Sequence, residues 1–182
     1  MNTVAVLLAD GFEELEAITV IDVLRRAGCD VRILSVDGVE VVRGNHRVGV
    51  SADAPLASAA AGDFDLVVCP GGLPGATNLA SNEAVRGVLR RTWESGALVG
   101  AICAGPLALS AAGLLEGRRF TIYPGNEDKV EGGTWTGADV EEDDRVITSR
   151  GPGTALAFAL HLAERLAGAS AASDLGKRML VE

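Results

Sequence analysis

The length, composition and charge of the chain favour one soluble globular domain (residues 1–182) and exclude several classes of protein. The 182 residues, 48% of them apolar, suffice for a sizeable core. The formal net charge of −9 disfavours binding to nucleic-acid phosphates. No apolar run approaches the roughly 20 residues that span a bilayer, and no basic segment precedes the first apolar run, so we expect a cytoplasmic protein without a membrane partner.

Short apolar runs alternate along the chain with longer segments of helical spacing. Buried strands are predicted at residues 4–9, 31–36, 66–69, 97–102, 120–122 and 146–148. Helices are predicted at residues 13–27, 82–94, 104–112, 154–167 and, less regularly, 170–180. Asp37-Gly38 predicts a hairpin turn into residues 39–42, which together with residues 48–50 predict an antiparallel excursion. The alternation as a whole predicts an α/β fold, with a mainly parallel sheet and helices on both faces.

Polar and glycine-rich segments follow four of the predicted strands. These segments lie at residues 10–16, 70–72, 103–106 and 148–153. In parallel α/β sheets, ligands bind outside the carboxyl ends of the strands. The fold would therefore bring the four segments together at one edge of the sheet, where we expect the functional site.

Cys103 is the central candidate for chemistry because it follows a predicted buried strand and precedes a helix. Its small neighbours Ala101, Ala104 and Gly105 suit a tight turn that resembles a nucleophile elbow, with Ala101 at the position of the first glycine. A helix N-terminus favours the thiolate, which predicts a lowered pKa for the thiol. The alternative is a small buried core cysteine; the turn favours the functional interpretation.

Two other groups could complete a cysteine site. Gly71 and Gly72 follow a buried strand, and their backbone N–H groups could stabilise an oxyanion; the alternative is a turn needed only for chain reversal. Glu13 and Glu14 suit the dipole of the first helix turn. Glu16 lies among apolar residues. If it faces the cleft, burial would raise its pKa, and the protonated form could donate to the thiolate or act in acid–base catalysis.

The cysteine and histidine content argues against a metal centre. Three cysteines without a CxxC pair indicate reduced thiols, and we expect no metal and no cofactor. Cys29 is predicted to pack in the core, and Cys69 is predicted near the rim of the cleft. Neither His46 nor His161 adjoins Cys103 in the sequence, so a Cys–His–acid protease is poorly supported.

Four motifs, in matching order and spacing, resemble those of the ThiJ/PfpI superfamily, and within it those of the DJ-one branch of parkinsonism-associated deglycases. They are Gly11-Phe12-Glu13-Glu14-Leu15-Glu16, Pro70-Gly71-Gly72, Ala101-Ile102-Cys103-Ala104-Gly105-Pro106 and Ser149-Arg150-Gly151-Pro152-Gly153. The resemblance covers about residues 2–180. It implies a flavodoxin-like three-layer sandwich that forms a homodimer. It also implies glyoxalase III or protein deglycase activity on methylglyoxal or its adducts, and a redox-regulated chaperone role under oxidative stress.

The same resemblance implies a role for each candidate residue. Cys103 would be the nucleophile and the oxidation-sensitive thiol, with Glu16 as its carboxyl partner. The backbone donors near the thiol would be Gly72 and Ala104, with Gly71 beside them. Substrate would be bound by Arg150 at the mouth of the site, together with Gly151 and His46.

Some positions depart from the patterns of related branches. Ala104 stands where the protease-like branch has histidine, and a downstream His-x-Glu, as in amidotransferases of related fold, is absent. Tyr123 stands before Pro124 where some branch members carry histidine. Three hypotheses stay open: a cysteine-dependent, glutathione-independent glyoxalase or deglycase, which we favour; a redox-sensing holdase chaperone that uses oxidation of Cys103; and a protease or amidase completed by a histidine of another subunit. The expected partners are a small aldehyde or a glycated protein.

Overall fold

The computed structural model describes residues 1–59 and 64–181 of the chain. The strands in this part are β1 (Thr3–Leu8), β2 (Asp30–Ser35), β3 (Val41–Arg43), β4 (Gly49–Ser51), β5 (Ala54–Pro55), β6 (Leu66–Cys69), β7 (Leu98–Ile102), β8 (Arg119–Phe120), β9 (Thr134–Trp135), β10 (Val140–Asp143) and β11 (Val146–Ser149). The α-helices are α1 (Glu14–Arg26), α2 (Gly75–Ser81), α3 (Glu83–Glu94), α4 (Pro106–Ala111), α5 (Ala155–Ala167) and α6 (Ala169–Arg178). None of these helices is long and apolar enough to cross a membrane.

A seven-stranded sheet in the order β10-β11-β7-β6-β1-β2-β5 forms the centre of the fold. All of its neighbouring strands pair in parallel except β10, which is antiparallel to β11. The central strands read as continuous apolar runs because both faces of the sheet are covered by helices. The predicted flavodoxin-like α/β sandwich is confirmed.

Alternate residues of each strand point to opposite faces of the sheet, and this divides the core into two clusters. In β1, Val4 and Val6 pack with α1, α5 and α6, where Phe158 is a fully buried large side chain. Ala5 and Leu7 pack on the other face with α2, α3 and α4. The helices thus cover both faces, and the carboxyl ends of the parallel strands meet at one edge.

The antiparallel excursion is confirmed, but its turn is not where it was predicted. β3 pairs with β4, with Val42 opposite Val50, and the chain reverses at the bond from the Gly44 N–H to the Val48 carbonyl. Asp37-Gly38 does not form a hairpin turn because β2 stays in the central sheet between β1 and β5.

Some elements differ from their predictions in type or length. The strand predicted at residues 120–122 is the two-residue β8, which pairs with β9 outside the central sheet. The helix predicted from residue 104 begins at Pro106, since Cys103 to Gly105 form the turn before it. α2 and the edge strand β10 were not predicted.

Candidate functional site

Cys103 occupies a left-handed backbone position in the turn between β7 and α4, with φ of 60°. Such a conformation costs a residue with a side chain roughly 1–3 kcal/mol and persists where surrounding bonds enforce it. Here the Cys103 N–H donates to the Ser149 carbonyl at 2.9 Å, and the Tyr123 N–H donates to the Cys103 carbonyl at 3.0 Å. The predicted strand-to-helix turn is confirmed, and bonds from two other segments hold it.

Gly71 lies where Cys103 and Glu16 approach each other. A Cβ atom added at Gly71 would stand 2.6 Å from the Cβ of Cys103, 2.7 Å from Oε2 of Glu16 and 2.9 Å from the nitrogen of Ala104. Since real Cβ contacts are not this short, glycine at this position is what allows the three groups to converge. The segments after β6 and β7 and the first helix therefore meet at one point, as the sequence predicted.

The backbone donors divide into two sets with different acceptors. The Gly71 N–H, predicted as an oxyanion donor, instead donates to Oε2 of Glu16 at 2.8 Å, so the carboxyl group already occupies it. The N–H groups of Gly72 and Ala104 bond to the Cys103 sulfur and lower the pKa of that thiol. Gly72 and Ala104 are thus left as the donors beside the sulfur.

Glu16 lies in the first turn of α1, faces the site and is fully buried. Burial raises its pKa to about 7; the bond from Gly71 and the neighbouring Cys103 thiol oppose that rise, and Glu13 adds to it. Oε1 of Glu16 has no hydrogen-bond partner among the described residues. A proton on this carboxyl therefore avoids a buried negative charge and gives Glu16 a donor to direct at the sulfur.

The Cys103 thiol does not have the lowered pKa that its place before a helix predicted. Burial raises the pKa to about 12, and the charge of Glu16 adds to the rise, whereas the amides of Gly72 and Ala104 oppose it. The prediction was wrong because burial and a buried carboxylate outweigh the backbone donors. The contribution of that charge disappears when Glu16 is protonated, so the two groups titrate as a pair.

Arg150 and Gly151 line a groove next to the two segments that hold the Cys103 turn, since Tyr123 of the lining and Ser149, which precedes Arg150, both bond to Cys103. The groove has a volume of about 680 Å³ and is lined by Tyr123, Pro124, Asp139, Arg150, Gly151, Pro152, Gly153 and Thr154. Nη2 of Arg150 lies 3.1 Å from Oδ1 of Asp139. A Cβ atom added at Gly151 would lie 3.3 Å from the Tyr123 ring, so Gly151 leaves room for that ring. Asp139 is the lining residue that sequence reasoning missed, because it precedes the unpredicted strand β10.

His46, also predicted to bind substrate, lies at the β3–β4 hairpin and is tied to the start of α1. Its Nδ1 is 2.9 Å from Oε2 of Glu14 and 3.6 Å from Oε2 of Glu13, and this bond and these charges raise its pKa. The Glu13 N–H in turn donates to the Gly71 carbonyl at 2.9 Å. His46 is thus connected to the Gly71 turn through Glu13, which contacts both residues. The ligand-type atoms of Glu13, Glu14 and His46 lie within 4.8 Å of one another, a grouping that the His46 ion pairs explain.

The remaining cysteines and the second histidine lie in other surroundings. Cys29 is in the core as predicted. Cys69 is fully buried in the cluster under α2 to α4, and burial raises its pKa to about 12; the prediction of a rim position was wrong because its side chain points into this cluster. His161 pairs with Glu142 of the edge strand β10 at 2.5 Å.

Comparison with known proteins places these features in a family. The model of the DJ-1/PfpI family matches residues 2–165. The Parkinson disease protein 7 homolog of Danio rerio is 41% identical over 181 residues, covering 97% of this chain and 96% of that protein. The glutathione-independent glyoxalase DJR-1.2 of Caenorhabditis elegans is 37% identical over 166 residues, covering 91% of this chain and 88% of that protein. The crystal structure of Drosophila melanogaster DJ-1beta has a TM-score of 0.95 at 39% identity, covering 98% of this chain and 97% of that one. The chain therefore belongs to the DJ-1/PfpI family.

Proposed function

We propose that the protein is a cysteine-dependent, glutathione-independent glyoxalase that converts methylglyoxal to lactate, and that methylglyoxal adducts on proteins are a second class of substrate. The observation that carries the proposal is the buried Glu16, whose pKa is raised to about 7 beside the Cys103 thiol. A carboxyl group with such a pKa can give and take protons at neutral pH. The Caenorhabditis elegans relative, named for this activity, supports the same assignment.

The first step forms a covalent bond between Cys103 and the substrate. The thiol gives its proton to Glu16, and the sulfur adds to the aldehyde carbon of methylglyoxal. The carbonyl electron pair moves to the aldehyde oxygen, which the N–H groups of Gly72 and Ala104 stabilise. Glu16 passes its proton to this oxygen, which gives a hemithioacetal and leaves Glu16 as a carboxylate.

The second step moves hydrogen within the adduct. Glu16 removes the hydrogen of the former aldehyde carbon as a proton, and the electron pair shifts toward the adjacent ketone, which becomes an alcohol when its carbon and oxygen are protonated. The hemithioacetal hydroxyl proton is lost as the thioester carbonyl forms. One carbon is oxidised and its neighbour is reduced, so this route uses no external oxidant. Water then cleaves the lactoyl thioester, which releases lactate and restores the Cys103 thiol.

The test is lactate formation from methylglyoxal without glutathione and with a chelator present. We expect turnover by the wild-type protein and none above the protein-free rate for Cys103→Ala. Cys29→Ala is the matched control, since it removes a thiol from the core, and we expect it to retain turnover when folded. Full activity of Cys103→Ala, or no activity of the reduced wild-type protein, would overturn the proposal.

A second candidate function, redox sensing with a holdase chaperone role, is favoured by one observation. Cys103 is partly exposed, whereas Cys29 and Cys69 are buried. Oxidation of a thiol to a sulfinic acid adds acceptor oxygens, and the N–H groups of Gly72 and Ala104 already bond to this sulfur. The protease hypothesis gains no comparable support, because in the described residues the side-chain partners of His46 and His161 are Glu14 and Glu142, and Cys103 is not among them.

An exposed apolar face supports the homodimer. Leu15 and Ile18 of α1 are 53% and 42% exposed, and Val41 and Val48 at the β3–β4 hairpin are 46% and 53% exposed. The hairpin lies against the start of α1 through the bond from the Asn45 N–H to the Phe12 carbonyl. Apolar patches of this kind mark protein contacts, so we assign this face to a second copy of the chain. We also propose that the protein works in the cytoplasm, because the proposed reaction needs a thiol and thiols stay reduced there.

A further inference from the structure

The groove beside Cys103 contains an ion pair that the proposed reaction does not use. Nη2 of Arg150 lies 3.1 Å from Oδ1 of Asp139, and both residues line the groove. Asp139 and Arg150 are the charged residues in the lining of the groove. The charge that a bound molecule meets in the groove therefore depends on whether Asp139 stays next to Arg150.

The sheet register and the main chain hold Asp139 in this place. Val140 of β10 is paired with Ser149 of β11, so Asp139 and Arg150 are opposite each other where the antiparallel pair ends. The Asp139 carbonyl accepts from the Ser149 hydroxyl at 2.7 Å and from the Arg150 N–H at 3.3 Å. The ion pair thus lies on a backbone that is fixed on both sides.

The segment that carries this pair is bonded directly to the reactive cysteine. Ser149, the residue before Arg150, accepts the Cys103 N–H, and Tyr123, across the groove, donates its N–H to the Cys103 carbonyl. A substrate attached to the sulfur therefore extends from a turn whose two flanking segments also line the groove. In the proposed reaction, the part of the substrate that does not react would extend toward Arg150 and Asp139.

A lone guanidinium in the groove would attract carboxylates and phosphates, because its planar donors match their oxygens. The Asp139 carboxylate pairs with the Arg150 guanidinium and adds a negative charge that repels such anions. We propose that Asp139 is a specificity-determining residue that selects uncharged 2-oxoaldehydes and rejects aldehydes that carry a carboxylate or phosphate. As a statement about substrates, this inference rests on the proposed function; the charge selectivity of the groove is measured without turnover.

The experiment compares two probes with the same aldehyde, glyoxylate and its uncharged methyl ester. Each probe is titrated against alkylation of Cys103 by iodoacetamide, and intact mass gives the concentration that halves the labelling rate. Cys103→Ser defines labelling at other sites. The test variant is Asp139→Asn, which keeps the size of the side chain. The control is Asp22→Asn, which removes the same charge from the Arg26–Asp22 pair of α1.

For each protein we take the ratio of the glyoxylate concentration to the methyl ester concentration that halves Cys103 labelling. We expect this ratio to be about fivefold lower for Asp139→Asn than for the wild type, an effect sized for a partly exposed ion pair. Asp22→Asn should leave the ratio unchanged, and Asp139→Asn/Arg150→Gln should lose the gain. Asp139→Ser must give the same shift should the asparagine variant fail to fold. An unchanged ratio in folded Asp139 variants overturns the inference even if lactate is formed. A shifted ratio without lactate formation by the wild type overturns the glyoxalase assignment and leaves the groove selectivity in place.

Discussion

Gly71 and Glu16 are joined by a hydrogen bond of 2.8 Å that links the turn after β6 to α1 and satisfies one oxygen of a fully buried carboxyl group. The other oxygen, Oε1, has no partner among the described residues. A buried carboxylate with half of its acceptors unpaired is costly, so the folded protein favours the protonated acid. This preference has consequences for stability as well as for chemistry.

The first prediction concerns the pH dependence of stability. Burial raises the pKa of Glu16 from 4.5 to about 7. Between these values the folded protein binds a proton that the unfolded chain has lost, so the free energy of unfolding falls as pH rises through this interval. The contribution is fully present below pH 4.5 and lost above pH 7, and it amounts to about 3 kcal/mol.

Glu16→Gln isolates this contribution, because its amide oxygen can still accept from Gly71 but the side chain does not ionise. We expect the difference in unfolding free energy between wild type and variant to change by about 3 kcal/mol from pH 4.5 to pH 8 in urea unfolding. Parallel pH dependences of the two proteins would show that Glu16 titrates normally. Groups that shift in the opposite direction, such as Glu14, cancel in the difference.

The features of this site that depend on neighbouring residues in the sequence could be predicted, and those that depend on distant elements could not. The Cys103 turn could be predicted because small residues between an apolar strand and a helix are a local pattern. Glu16 could be predicted as a candidate site residue because it stands among apolar residues. The direction in which the pKa of the Cys103 thiol shifts could not be predicted, because the shift depends on how deeply the sulfur is buried and on a charge from another element.

The elements that were missed lack an apolar period. β10 reads Val-Glu-Glu-Asp and is held in the sheet by main-chain pairing with β11, so no alternation marks it. Asp139, which precedes it, was therefore not placed beside Arg150. α2 is short and contains glycine and asparagine, which are weak helix formers; its Leu79 and Ala76 are buried by tertiary packing.

The second prediction tests the close approach at Gly71. Gly71→Ala would place a Cβ atom 2.6 Å from the Cβ of Cys103, and the displaced backbone should lower the free energy of unfolding by about 1–3 kcal/mol and abolish lactate formation. Gly87→Ala is the matched control, since it lies on α3 with only the flexible end of Arg91 within 4 Å. The control should be more stable by about 0.5–1 kcal/mol. An active, fully stable Gly71→Ala protein would contradict the geometry.

The third prediction separates the two candidate functions. Mild peroxide should add two oxygens to the wild-type protein, measured by intact mass, and peptide mapping should place them on Cys103, because Cys29 and Cys69 are buried. Cys103→Ser should show no such gain. Selective, stable oxidation together with absent glyoxalase turnover would favour the sensor. Oxidation spread over all three cysteines would argue against a built site for the oxidised sulfur.

The fourth prediction concerns the apolar face of α1 and the β3–β4 hairpin. If this face covers a second copy, the protein should sediment at about twice the mass of the 18.7 kDa chain. Ile18→Asp should shift it to the monomer, since an unpaired carboxylate in an apolar contact costs several kcal/mol. Leu180→Asp is the control, because Leu180 is 89% exposed after α6, outside this face; it should leave the mass unchanged. A monomeric wild type, or a dimer that survives Ile18→Asp, would rule out this face as the contact.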